Sequence, residues 1–138
     1  MTAAVGMAML AAVIASAVNQ PAQRSHRDIS VEDVYALNGL AWHTSANPCD
    51  YNNARVRACF DGTTVWIRTG DSPDLKTFAL WHELHHYIDK KNGTVYRSQS
   101  SAECAADAFA YAHDAAARGE GFGYHCHNGV ATDPIPQH

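Results

Sequence analysis

Apolar residues recur at Val31, Val34, Leu37 and Leu40 behind Ser30 and Asp33, which stand at capping-box spacing. This predicts a short helix, capped by Asp28 or Ser30 and closed by Asn38-Gly39. The stretch Thr44 to Arg55 has no such period and carries the turn signals Asn47-Pro48 and Asn52-Asn53, so it reads as loop. Two strand candidates follow. Ala54 to Phe60 alternates loosely, Asp61-Gly62 is a turn dipeptide, and Thr63 to Thr69 is rich in β-branched and aromatic residues. Together they predict a hairpin.

Two helices occupy the second half. Ser72 can cap, Pro73 suits a first helical position, and Asp74 favours the positive end of the helix. That helix is expected to run to about Lys90, with Asn92-Gly93 as its stop. A second, alanine-rich helix is expected from Ser100 or Ser101 to Arg118, ended by Gly119, with a looped tail beyond Glu120. Trp81, Tyr87, Phe109 and Tyr111 fall at helical spacings and are expected to pack the two helices together. The fold class is α+β: a small twisted sheet or hairpin on two antiparallel helices.

The N-terminus differs from the rest. Between Ala3 and Val18 the non-apolar residues are Gly6 and Ser16 alone. The run is short for a membrane span of about 20 residues. It resembles the apolar part of a signal peptide, and Ala15-Ser16-Ala17 reads as a small-residue cleavage site, although no Lys or Arg precedes it. Residues 1–18 are therefore read as a signal peptide or an apolar helix, 19–27 as a linker and 28–138 as one domain. The first choice places the protein outside the cell or on its surface; without a signal it is cytoplasmic. A membrane would be touched only through residues 3–18, if uncleaved.

The net charge of −4 supplies no basic face for nucleic acid. The chain has four cysteines: Cys49, Cys59, Cys104 and Cys126. An even count in a short, exported chain suggests two disulfides. Of the three possible pairings, Cys49–Cys59 and Cys104–Cys126 close short loops and staple the two halves separately. The nine histidines cluster, with five at positions 82, 85, 86, 125 and 127.

Residues 82–86 spell H-E-x-x-H in the middle of the first long helix. Four residues is slightly more than one turn, so His82 and His86 share a face and can reach one ion, while His85 lies off that face. Glu83 beside them can take a proton from metal-activated water and pass it to a leaving amine. A catalytic zinc needs three protein ligands and an open position. Glu103, on the next helix, is the candidate third ligand. Asp107, one turn further, can accept the N–H of a metal-bound histidine. Two bland readings compete: a solvated histidine face, and a capping box in which Glu103 serves Ser100.

His82-Glu83-Leu84-His85-His86 followed by Glu103-Cys104-Ala105-Ala106-Asp107 resembles the zincin peptidases of the glutamate-ligand branch. These carry H-E-x-x-H on one helix and E-x-x-x-D on the next. The closest form is that of the neutral zinc metallopeptidases of bacteria, and the likeness covers roughly residues 55 to 112. It implies a minimal zincin-like core with Zn2+ held by His82, His86 and Glu103, Asp107 behind them and Glu83 as general base and acid. It also implies a peptide or protein substrate laid along the strand at 64–68.

The tail residues Tyr124, His125 and His127 are candidates for oxyanion stabilisation if Cys126 is bonded to Cys104; a disulfide-anchored surface loop is the competing reading. The function expected is zinc-dependent peptide-bond hydrolysis by a monomer. The alternative is a catalytically inactive, zinc-stabilised binding or regulatory module.

Overall fold

A computed structural model describes residues 29–53 and 55–135. The readings of residues 1–18 and 19–27, and a cap at Asp28, lie outside the described residues. Ser30 caps helix α1 (Val31–Leu37), its hydroxyl accepting the Asp33 N–H at 3.2 Å. Strand β1 (Ala41–Ser45) follows, then a short 3-10 turn (Pro48–Asp50), β2 (Ala58–Phe60) and β3 (Thr64–Arg68). Helices α2 (Pro73–Asn92) and α3 (Gln99–His113) come next, then a short α4 (Ala116–Gly119) and the hairpin strands β4 (Cys126–His127) and β5 (Val130–Ala131).

The architecture is α+β, a mixed three-stranded sheet and a small hairpin packed on two long helices in contact. The sheet order is β1-β3-β2. β1 runs parallel to β3 with Trp42 beside Val65, and β2 runs antiparallel to β3 with Phe60 beside Val65. Phe78 meets Tyr111 while His86 meets Glu103, so α2 and α3 run antiparallel. Val65 and Ile67 of β3, Leu80 and Leu84 of α2, Tyr35 of α1 and Ala110 of α3 form the core. The Tyr35 hydroxyl donates to the Leu80 carbonyl at 2.5 Å, tying α1 to α2.

Four local expectations are corrected. The segment 44–55 read as loop begins with the end of β1. None of the five residues of β1 is fully buried, so the strand lacks the apolar alternation that marks a half-buried one. Among the described residues of the stretch 54–60, only Ala58–Phe60 form a strand. The irregular chain before it is held by Arg68, whose guanidinium donates to the carbonyls of Val56, Ala46 and Asn53 at 2.9, 2.8 and 2.7 Å. The helix expected to reach Arg118 breaks at Asp114, which has φ −136° and ψ 77°; the break lets Ala117 turn into the core. In the tail, Asn128 and Gly129 both have positive φ, 50° and 74°, the geometry of a tight hairpin turn.

The cysteines pair as Cys49–Cys59 and Cys104–Cys126. The first ties the 3-10 turn to β2, the second ties the tail hairpin to α3. Two disulfides suggest an oxidising compartment. Among the described residues, no helix is long and apolar enough to cross a membrane.

Candidate metal centre

Helix α2 carries the motif because its ends are well specified. The Ser72 hydroxyl accepts the Leu75 N–H at 3.2 Å, and Pro73 occupies the first turn. At the far end Gly93 adopts φ 67°, its N–H reaching back to the carbonyls of Asp89 and Lys90. Between them every residue from Phe78 to Leu84 is buried. Such burial all round is what a helix sandwiched between a sheet and a second helix requires. It places His82 and Glu83 inside the protein.

Helix α3 brings the remaining groups. Its cap is Ser98, not Ser100: the Ser98 hydroxyl accepts the Ser101 N–H at 3.1 Å. Ser100 instead accepts the Ala131 N–H at 2.6 Å. Glu103 therefore serves no capping box, and its carboxylate turns to α2. One oxygen lies 2.9 Å from His82 Nε2 and the other 3.3 Å from His86 Nε2. The two Nε2 atoms are 3.1 Å apart. His82 Nδ1 meets Asp107 Oδ1 at 2.7 Å.

His82, His86 and Glu103 form a group that could hold a metal ion, with one ligand atom from each, all within 4.8 Å of one another. The donor set is two imidazoles and a carboxylate, as catalytic zinc sites use. Ligand atoms about 2.0–2.1 Å from a tetrahedral zinc stand about 3.3 Å from one another, and the observed contacts of 2.9, 3.1 and 3.3 Å are close to that. The residues fit the group. Asp107 leaves His82 with Nε2 turned towards the shared point.

Electrostatics follow from burial and pairing. Burial alone would depress the His82 pKa, but the carboxylates of Asp107 and Glu103 outweigh it and hold it above the usual histidine value. Burial alone would raise Glu103; hydrogen bonds and charge from His82 and His86 win, and its carboxyl lies well below the usual carboxylate range. Glu83 goes the other way. Burial pushes its carboxyl up, against the pull of His82 and His86 and a backbone hydrogen bond from Phe60. A carboxyl that binds a proton more readily than usual is suited to relaying one.

The Phe60 contact comes from strand geometry. Asp61 N–H donates to the Thr64 carbonyl on β3, and alternate N–H groups point to opposite sides of a strand, so Phe60 N–H leaves the sheet and meets Glu83. β3 is central, flanked by β1 and β2, so residues 64–68 present no free edge; the edge strand that lines the cleft is β2. A cleft of about 480 Å³ opens here. His82, Glu83, His86 and Glu103 line it together with Val56 to Phe60, Leu75, Phe78 and Tyr124.

The tail closes round Asp107. Tyr124 N–H donates to Asp107 Oδ2, and the Tyr111 hydroxyl donates to the Phe122 carbonyl. Gly123 between them has φ +88°, and a Cβ there would stand 2.7 Å from both Asp107 Oδ2 and the Tyr111 hydroxyl. Glycine is required on both counts. Of the three tail candidates, Tyr124 lines the cleft and its ring lies 6.4 Å from that of His82. His125 is largely exposed, with Nδ1 2.9 Å from Asp133, and His127 is exposed. Neither lines the cleft.

His85 faces away from the triad, its Nδ1 3.1 Å from Asp89 and its ring 5.0 Å from Phe109. Trp81 and Tyr111 pack between the helices against Phe109 and Phe78, whereas Tyr87 packs on Phe60 of β2. Three contributors escape a reading of side-chain motifs. The backbone N–H groups of Phe60 and Tyr124 leave no trace in residue type. Arg55, on the cleft wall, carries no signal beyond its charge. No protein family, curated protein or solved structure matches this chain.

Proposed function

We propose that this protein is a zinc-dependent peptidase of the zincin type, hydrolysing peptide bonds with Glu83 as general base and then general acid. The observation that carries the reading is the convergence of His82, His86 and Glu103 on one point of a cleft whose adjacent buried carboxyl is Glu83. A structural metal site has no use for such a neighbour; its ligands close the coordination shell and stop there.

Zinc, when bound, would supply a Lewis acid that lowers the pKa of water and polarises the scissile carbonyl. The protein's own groups do the rest. Glu83 accepts the proton of the attacking water and delivers it to the departing amine nitrogen. Phe60 N–H holds the Glu83 carboxylate in place. Asp107 fixes the orientation and tautomer of His82. An extended peptide lies along the outer edge of β2, beside the Phe60–Glu83 contact, with Phe78 and Leu75 excluding water below it. Tyr124, the one tail candidate that lines the cleft, stabilises the oxyanion. The protein acts as a monomer outside the cytosol, where its two disulfides persist.

Replacing Glu83 with Gln tests this reading. The variant should bind zinc as the wild type does and lose at least about 100-fold in kcat/KM on a peptide library. Wild-type protein loaded with zinc that cleaves no peptide contradicts it, as does a Glu83→Gln variant with full turnover.

A further inference from the structure

The cleft that holds the triad is also lined by two arginines, Arg55 and Arg57. They differ in what they hold. Arg57 is spent on an ion pair with the buried carboxylate of Asp71 at 2.8 Å. Arg55 donates one guanidinium nitrogen to the carbonyl of Pro134 at 2.6 Å and has no ion-pair partner among the described residues. Its backbone N–H is fixed on Asn53 at 2.9 Å. A guanidinium has five donors in a planar fork, so a neutral carbonyl leaves most of them and the whole charge unanswered. The anchoring carbonyl lies on the tail that Cys104–Cys126 and the Ser100–Ala131 hydrogen bond pin to α3. Arg55 is thereby anchored from outside the cleft while its side chain lines the cleft wall.

We infer that Arg55 is a specificity-determining residue, and that the cleft prefers peptides bearing a carboxylate on the side of the scissile bond that meets it. The inference deepens the peptidase reading and rests on it. A planar fork pairs with a carboxylate through two parallel hydrogen bonds, and Arg55 is exposed on the cleft wall, where an incoming carboxylate can reach it. The carboxylate is an acidic side chain or a free C-terminus; the chemistry recognised is the same.

Binding to zinc-loaded Glu83→Gln protein tests it without turnover. The probes are N-acetylated hexapeptides of Ala, Leu and Phe with Glu or Gln at each position in turn, each made as C-terminal acid and as amide. A carboxylate at one position should tighten Kd about tenfold. Adding Arg55→Gln should abolish that preference at unchanged zinc content, and Arg55→Lys should keep part of it. Preference for an internal Glu identifies a side-chain site; preference for acid over amide identifies the C-terminus. The same preference with and without Arg55, no preference, or no binding by the whole set overturns the inference. A wild type that binds these peptides but cuts none refutes the peptidase reading and leaves the role of Arg55 in binding intact.

Discussion

The Nδ1 of His82 on α2 lies 2.7 Å from a carboxylate oxygen of Asp107 on α3, and the second oxygen of that carboxylate takes the backbone N–H of Tyr124. One buried aspartate thus joins the centre to the tail, and it sits where a partner fixes the ring of a metal-binding histidine. Asp107→Asn keeps the shape and removes the charge. Zinc affinity should fall about 10–100-fold with the fold retained, as measured by calorimetric titration beside circular dichroism. Unchanged affinity would show that His82 needs no such partner.

The two disulfides have different consequences. Removing Cys104–Cys126 by a double Ser substitution frees the tail that delivers Tyr124 to Asp107; removing Cys49–Cys59 loosens only the turn before β2. Each should cost about 3 kcal/mol in urea denaturation, since the loops are 22 and 10 residues long. Loss of Cys104–Cys126 alone should also weaken zinc binding. Equal zinc affinity in the two double variants would separate the tail from the centre.

Asp61 contributes to the acid side of stability. The Trp66 indole N–H first, then the backbone N–H groups of Thr64 and Thr63, hold its carboxyl well below the ordinary value of 3.8. A carboxyl depressed in the folded state stabilises the protein above its unfolded pKa, and the contribution drains away as pH falls towards the folded value. Asp61 is exposed, so solvent screening keeps the contribution to about 1 kcal/mol or less. Asp61→Asn should melt below wild type at neutral pH, with the gap closing below about pH 4. A gap that persists at the lowest pH would assign the effect to shape, not charge.

Much of this was legible in the residue pattern because its signals are local. Ser72-Pro73 and Asn92-Gly93 bracket α2, and H-E-x-x-H fixes His82 and His86 on one face by helix geometry alone. Glu103 was harder to read, since the sequence offered Ser100 as a rival partner; only the seat of the cap at Ser98 removes the competition. β1 was missed because its side chains contribute little to the core. The role of the sheet edge was assigned to β3 because its Val65 and Ile67 carry the strong signal. That signal marks burial, and the central strand is the one most buried. The N–H groups of Phe60 and Tyr124 belong to the backbone, which residue types do not reveal.

The convergence of two helices on one cation is most directly tested by titrating zinc into metal-free wild type and Glu103→Ala in the same calorimeter. Wild type should bind one equivalent, and Glu103→Ala should lose more than the about 10–100-fold expected for the Asp107 variant. Zinc bound equally well by both proteins, or by neither, would contradict the account.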